Sequence, residues 1–230
     1  MRQLPLAIQL RPEADFAGYL AGPNAEAVAA ISAWADCTGD PFLYLFGAPG
    51  TGRTHLLQAA CRHASGRDKT AVFLPMTHPA LDPSVLEDLE AADLVALDDI
   101  ETIRGNREWE LGVVDLFNRL RNGGRRLLVS GSTPVTDLPF ALADLRSRLG
   151  WGPGYRLRPL GEHDCEELLL TAASRRGLKI NAELVGYIMR RCRREAGALL
   201  ELLSRLDEES LREKRRPSVR LIRRLLDPPA

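Results

Sequence analysis

One octapeptide constrains this chain more than any other feature. Phe42-Leu-Tyr-Leu-Phe46 is a short apolar run, and Gly47-Ala48-Pro49-Gly50-Thr51-Gly52-Arg53-Thr54 follows it directly. The stretch from Thr54 to Ala64 then carries apolar residues at helical spacing. Strand, glycine-rich turn and helix in that order let backbone N–H groups converge at a helix N-terminus, where the partial positive charge favours an anion. The octapeptide fits G-x-x-x-x-G-K-[ST] at every fixed position except lysine, where Arg53 stands, and that pattern is a phosphate cradle. Thr54 can offer its hydroxyl to Mg²⁺. Arginine keeps the charge, but its planar fork reaches differently from a lysine ammonium.

The rest of the chain supplies the scaffold such a loop needs. Ala71–Pro75, Leu94–Asp98, Arg126–Ser130 and Tyr155–Arg158 read as further strands. Helical patterns lie at Asn24–Cys37 behind an Asn24 cap, Val85–Ala91, Trp109–Asn122 and Leu142–Leu149. Strands alternating with helices predict a parallel α/β sheet sandwiched by helices. After Pro159-Leu-Gly161 only helical periodicity remains, over Asp164–Arg176, Asn181–Cys192, Ala196–Lys214 and Val219–Leu226. The expected organisation is an extended tail over residues 1–10, an α/β domain over 11–160 and a small all-helical domain over 161–230.

A second chemical element is Leu94-Val-Ala-Leu-Asp98-Asp99, an apolar strand ending in two carboxylates. At the carboxyl end of a strand neighbouring the loop, Asp98 can hold Mg²⁺ through water and Asp99 can orient an attacking water. A strand followed by a charged turn is the plainer account of the same residues.

Composition excludes several classes. The chain has no apolar run long enough to span a membrane and no secretion signal at its start. Its four cysteines are scattered without a C-x-x-C pair, which predicts reduced cytosolic thiols and no zinc site. Zero net charge hides an asymmetry: residues 175–230 hold 15 Lys+Arg against 8 Asp+Glu. A solvated basic face accounts for this, as does a surface for an acidic partner or DNA.

The chain resembles the DnaA-related AAA+ family, and within it the Hda-type regulators. The residues that carry the resemblance are Phe16…Gly22-Pro-Asn24, the loop with His55-Leu-Leu57 behind it, Asp98-Asp-Ile…Phe117-Asn-Arg-Leu120, Val129-Ser-Gly-Ser-Thr-Pro134 and Asp144-Leu-Arg-Ser-Arg-Leu-Gly-Trp-Gly152. The resemblance implies an AAA+ fold with a helical lid, and adenine nucleotide (ADP or ATP) with Mg²⁺. Gly22, Asn24, Gly47, Ala48, Pro49, Gly50, Thr51, Gly52, Arg53, Thr54, His55 and Ser132 would line the nucleotide, with Ser132 in the sensor-I position. Arg148 falls where the family places an arginine finger that acts on a neighbouring subunit's nucleotide, and Arg146 is a second candidate; a surface cation on a helix is the plain reading of either. Sensor II falls on Gly197, with Arg193 and Arg194 just before it, which implies a lost γ-phosphate contact and feeble hydrolysis.

The same resemblance implies partners. Gln3, Leu4, Leu6 and Ile8 are similar to a peptide that docks on the replicative sliding clamp, which would place the protein on DNA indirectly. The DnaA initiator would be the second partner, in the cytoplasm and away from membranes, with a homodimer left open. The chain ends at Ala230, so the initiator's long N-terminal region and C-terminal helix-turn-helix domain are expected to be absent, and origin binding with them. The activity implied is stimulation of ATP hydrolysis by DnaA. Two other classes stay open: an AAA+ ATPase turning over its own ATP, such as a helicase loader, and a DNA-binding adaptor acting through the basic lid.

Overall fold

The computed structural model describes residues 10, 11, 13–192 and 195–226. The described chain divides into two units, one ending at Arg158 and one starting at Pro159.

The first unit is built on a five-stranded parallel sheet: β1 (Phe42–Gly47), β2 (Ala71–Pro75), β3 (Leu94–Asp98), β4 (Arg126–Gly131) and β5 (Gly154–Leu157), in the spatial order β2-β3-β4-β1-β5. Side chains alternate across a strand, and both faces of the central strands are covered, so β1, β3 and β4 are largely apolar, while edge strand β5 is mostly exposed. Phe42, Tyr44, Val95, Leu97, Leu127 and Val129 point to one face. There they pack with Val113, Leu116, Phe117 and Leu120 of α3 (Arg107–Asn122) and Leu145 and Leu149 of α4 (Ala143–Leu149). Leu43, Leu45, Leu94, Ala96 and Leu128 point to the other. They meet Ile31 and Trp34 of α1 (Ala25–Ala35) and Leu56, Leu57 and Cys61 of α2 (Arg53–Ser65).

Leu10 packs against the α1–α2 side of the core, and Arg11 N–H donates to Gln58 Oε1 at 3.0 Å. Two local expectations are corrected. Residues 83–91 form two 3₁₀ turns in place of a helix, because Glu87 is extended and Asp88 takes a left-handed conformation at φ 61°. Strand β3 does not neighbour β1, because β4 lies between them.

The second unit is all helical: α5 (Glu162–Arg175), α6 (Ala182–Arg191), α7 (Ala196–Glu213) and α8 (Val219–Leu226). Leu169, Ile188, Leu199, Leu203, Leu206 and Ile222 form its own buried core. Asn181 caps α6 by accepting from Leu184 N–H at 3.0 Å, which satisfies one of the free donors at a helix start. No helix among the described residues is long and apolar enough to cross a membrane.

Candidate phosphate site

The glycine-rich loop has the backbone its sequence demands. Gly50 and Gly52 sit at φ 83° and 92°, a region that costs a side-chain-bearing residue about 1 kcal/mol or more. Space enforces the choice independently. A Cβ on Gly52 would stand 2.6 Å from the Tyr19 ring, and one on Gly47 would stand 2.8 Å from the Leu157 carbonyl oxygen. Thr51 is buried and closes the turn by donating its hydroxyl to the Ala48 carbonyl at 2.8 Å. Ala48, Pro49 and Gly50 are exposed at the tip. Helix α2 starts at Arg53, and no side chain caps it, so the N-terminal end of α2 opens directly at the loop.

Two residues assigned to the nucleotide by resemblance also fasten the segments around the loop. The Asn24 side chain makes no cap for α1. Its Nδ2 donates to the Arg158 carbonyl at 3.0 Å and to the Tyr19 hydroxyl at 3.2 Å, and its Oδ1 accepts from Arg158 N–H at 2.7 Å. Tyr19 in turn donates to the Thr51 carbonyl at 3.0 Å. Burial drives the Tyr19 phenol up to about 12, so it stays a neutral donor. His55 places Nε2 2.9 Å from the Asp15 carbonyl oxygen, fastening the segment before α1 to the first turn of α2. Gly22 is exposed at φ 44° just ahead of Asn24.

The acidic pair lies at the end of β3. Asp98 is 2% exposed, and its Oδ1 accepts from the Ser130 hydroxyl. Among the described residues its Oδ2 has no hydrogen-bond partner, which leaves one oxygen for water or a cation. Ser130 also accepts from Asp99 N–H at 3.0 Å, and that bond holds Asp99 at φ 55°. Ser130 was not singled out by sequence; it is the penultimate residue of β4, the strand inserted between β1 and β3, and a hydroxyl near the end of an apolar run was the available signal. Ser132, the sensor-I expectation, is half-buried one residue beyond β4, with no side-chain hydrogen bond among the described residues. The polar contact to the acids therefore comes from Ser130.

Arg53 is paired with acids of the same unit. Its Nη2 lies 2.8 Å from Asp99 Oδ1, and its Nη1 lies 3.6 Å from Glu101 Oε1. The loop's cation is thus drawn onto the acids of β3. Burial first, and then the charge of Asp98, raise the Asp99 carboxyl above its usual range, while Arg53 opposes them.

Arg148 is not a free surface cation. Its side chain is 25% exposed, Nε is 3.3 Å from Asp144 Oδ1, and the guanidinium lies 5.6 Å from the centre of the Phe117 ring. Arg146 is exposed and unpaired among the described residues. Both stand on α4, whose approach is fixed by Glu110 of α3. That buried carboxylate accepts from Gly105 and Ala141 N–H through Oε1, and from Leu142 N–H through Oε2. Gly197 is exposed in the first turn of α7. Gln3, Leu4, Leu6, Ile8, Arg193 and Arg194 lie outside the described residues.

Residues 162–226, nearly the whole second unit, match the family described as Hda, lid domain. Domain III of the Thermotoga maritima replication initiation protein DnaA superposes with a TM-score of 0.81 at 18% identity, covering 95% of this chain and 97% of that one. The second unit thus matches an Hda-type lid, and the chain has the fold of DnaA domain III. AMPPCP-bound DnaA from Aquifex aeolicus gives a TM-score of 0.73 at 20% identity over 89% of this chain and 69% of that one. A RuvB variant from Thermotoga maritima gives 0.64 at 17% identity over 86% and 65%. At such identities the structural likeness establishes the fold, and the lid match relates the second unit to Hda.

Proposed function

We propose that this chain is an Hda-like regulator of DnaA, which binds adenine nucleotide at Gly47–Thr54 and stimulates hydrolysis of the ATP held by DnaA. The observation that carries the reading is the Hda lid match behind a DnaA-like phosphate-loop unit. The loop's two positive-φ glycines and the open start of α2 suit phosphate oxygens. Thr54, in the first turn of α2, and Asp98, with its unpartnered Oδ2, are the residues that would hold Mg²⁺ beside that nucleotide. ADP is the favoured ligand. In this reading Arg148 reaches the DnaA nucleotide, where an arginine supplied in trans can raise the rate by ~10³–10⁵. Gln3, Leu4, Leu6 and Ile8 dock on the sliding clamp as an extended peptide.

A second reading, turnover of its own ATP, draws on the Asp98–Ser130–Asp99 arrangement, which can orient a water. The Arg53–Asp99 pair speaks against it, because it occupies the carboxylate that would do so. Phosphate release distinguishes the two. DnaA-ATP with clamp-loaded DNA should release phosphate faster when this protein is added, while the protein with ATP alone stays near background. Turnover by the protein alone, abolished by Asp99→Ala, would establish the second reading.

A further inference from the structure

Asp99 and Glu101 flank the Arg53 guanidinium, and Glu101 has no part in the function proposed above. The three side chains are 11%, 27% and 23% exposed, with Arg53 the most enclosed. Their contacts are unequal. Asp99 takes a hydrogen bond from Nη2, whereas Glu101 faces Nη1 at a distance too long for one. Nη1 of Arg53 and Oε2 of Glu101 are both buried without any hydrogen-bond partner. Buried polar atoms are normally satisfied, so this imperfect pairing needs a reason. Asp98 adds a third carboxylate at the end of β3. Among the described residues, the guanidinium pairs with Asp99 and Glu101, and Asp98 adds its charge next to Asp99.

A charge in a partly enclosed site acts strongly over a few ångströms, since little water screens it. Glu101 has two effects at the phosphate end of the site. It helps Asp99 hold Arg53 on the acid side, away from the loop's exposed tip, and it adds negative charge where each further phosphate would be repelled. We propose that Glu101 is a specificity-determining residue, selecting a nucleoside diphosphate over the triphosphate by retaining Arg53. This rests on the reading that the loop binds adenine nucleotide. The orphaned Nη1 fits it, because a guanidinium released from Glu101 has a free donor to offer a terminal phosphate.

The test is calorimetry of ADP and ATP binding to the full chain, without reference to hydrolysis. In Glu101→Gln the ratio of ATP to ADP affinity should rise about tenfold, the order expected for removing one nearby charge from a partly buried site. Glu101→Asp, whose shorter carboxylate withdraws from Nη1, should shift the ratio part of the way. The double variant Arg53→Met with Glu101→Gln should lose most of the gain, because the released guanidinium is then missing. An unchanged ratio in Glu101→Gln, with ADP still bound, overturns the inference. If Glu101→Gln does not fold, an unchanged ratio in Glu101→Asp overturns it equally. Failure of the unaltered protein to bind either nucleotide overturns instead the nucleotide reading on which the inference stands.

Discussion

Asn24 grips the backbone of Arg158 at both of its polar groups, with Nδ2 donating to the carbonyl at 3.0 Å and Oδ1 accepting from the N–H at 2.7 Å. The amide is 2% exposed and joins positions 134 residues apart. Asn24→Ala would leave the Arg158 N–H and carbonyl without this partner, at a cost of about 1–3 kcal/mol. Chemical denaturation should show a lower midpoint with an unchanged slope. A midpoint equal to that of the unaltered chain would mean that water replaces the amide without loss.

The same residue marks where the sequence stops being legible. Asn24 does stand at the N-cap position of α1, as its type and place suggest, yet its side chain serves a distant segment. The central strands were readable, because a strand covered on both faces must be largely apolar along its length, whereas the exposed edge strand β5 gives a weaker signal. Their order was not, since nothing local in Leu94–Asp98 reveals that β4 lies between it and β1. The phosphate loop was readable because glycine is the residue that φ near +90° requires. The partner chosen by Arg53 was not, because it depends on where β3 delivers Asp99. Ser130 was missed for the same reason: its contacts with Asp98 and Asp99 exist only once the strand is inserted.

Asp93 supplies a pH-dependent contribution. Its Oδ2 accepts from the Thr70 N–H at 3.0 Å and the Thr70 hydroxyl at 2.9 Å, and Oδ1 pairs with Arg125. The Thr70 hydrogen bonds, aided by the nearby charges, hold its carboxyl below the usual aspartate value. A depressed folded value means that the unfolded chain takes up the proton first as pH falls. The stabilisation is therefore present above the ordinary aspartate range and is lost as pH drops through it towards the folded value. Asp93→Asn should destabilise the protein at neutral pH, and the gap from the unaltered chain should narrow below the ordinary aspartate range. Denaturant midpoints across that range check this, and a gap that widens on acidification contradicts the assignment.

Glu110 is fully buried, and its hydrogen-bond partners among the described residues are the backbone N–H groups of Gly105, Ala141 and Leu142. Glu110→Ala should cost about 1–3 kcal/mol, because three backbone donors lose their acceptor and its own buried site is emptied. Glu110→Gln should cost less, since one oxygen remains, but its amide would face the Leu142 N–H donor to donor. Amide exchange offers a local check. Leu142 should exchange faster in Glu110→Gln relative to amides of β1 and β3. Exchange unchanged at Leu142 would show that Glu110 does not restrain the start of α4.

The two arginines of α4 should separate stability from function. Arg148 covers Phe117 with its side chain and pairs with Asp144, so truncation removes packing as well as charge. Arg148→Ala should cost about 1 kcal/mol, whereas exposed Arg146→Ala should stay within about 0.5 kcal/mol. Function should separate more sharply. If Arg148 supplies the cation to the nucleotide of DnaA, Arg148→Ala should nearly eliminate stimulated phosphate release, while clamp and nucleotide binding remain. For that, the guanidinium must leave Phe117 and Asp144 when DnaA binds, and breaking an exposed i,i+4 pair of this kind costs only about 0.3–0.5 kcal/mol. Asp144→Asn frees Arg148 without shortening it and should therefore leave stimulation intact or raise it. Full stimulation in Arg148→Ala together with loss in Arg146→Ala would move the finger to the exposed arginine, two residues away on the same helix.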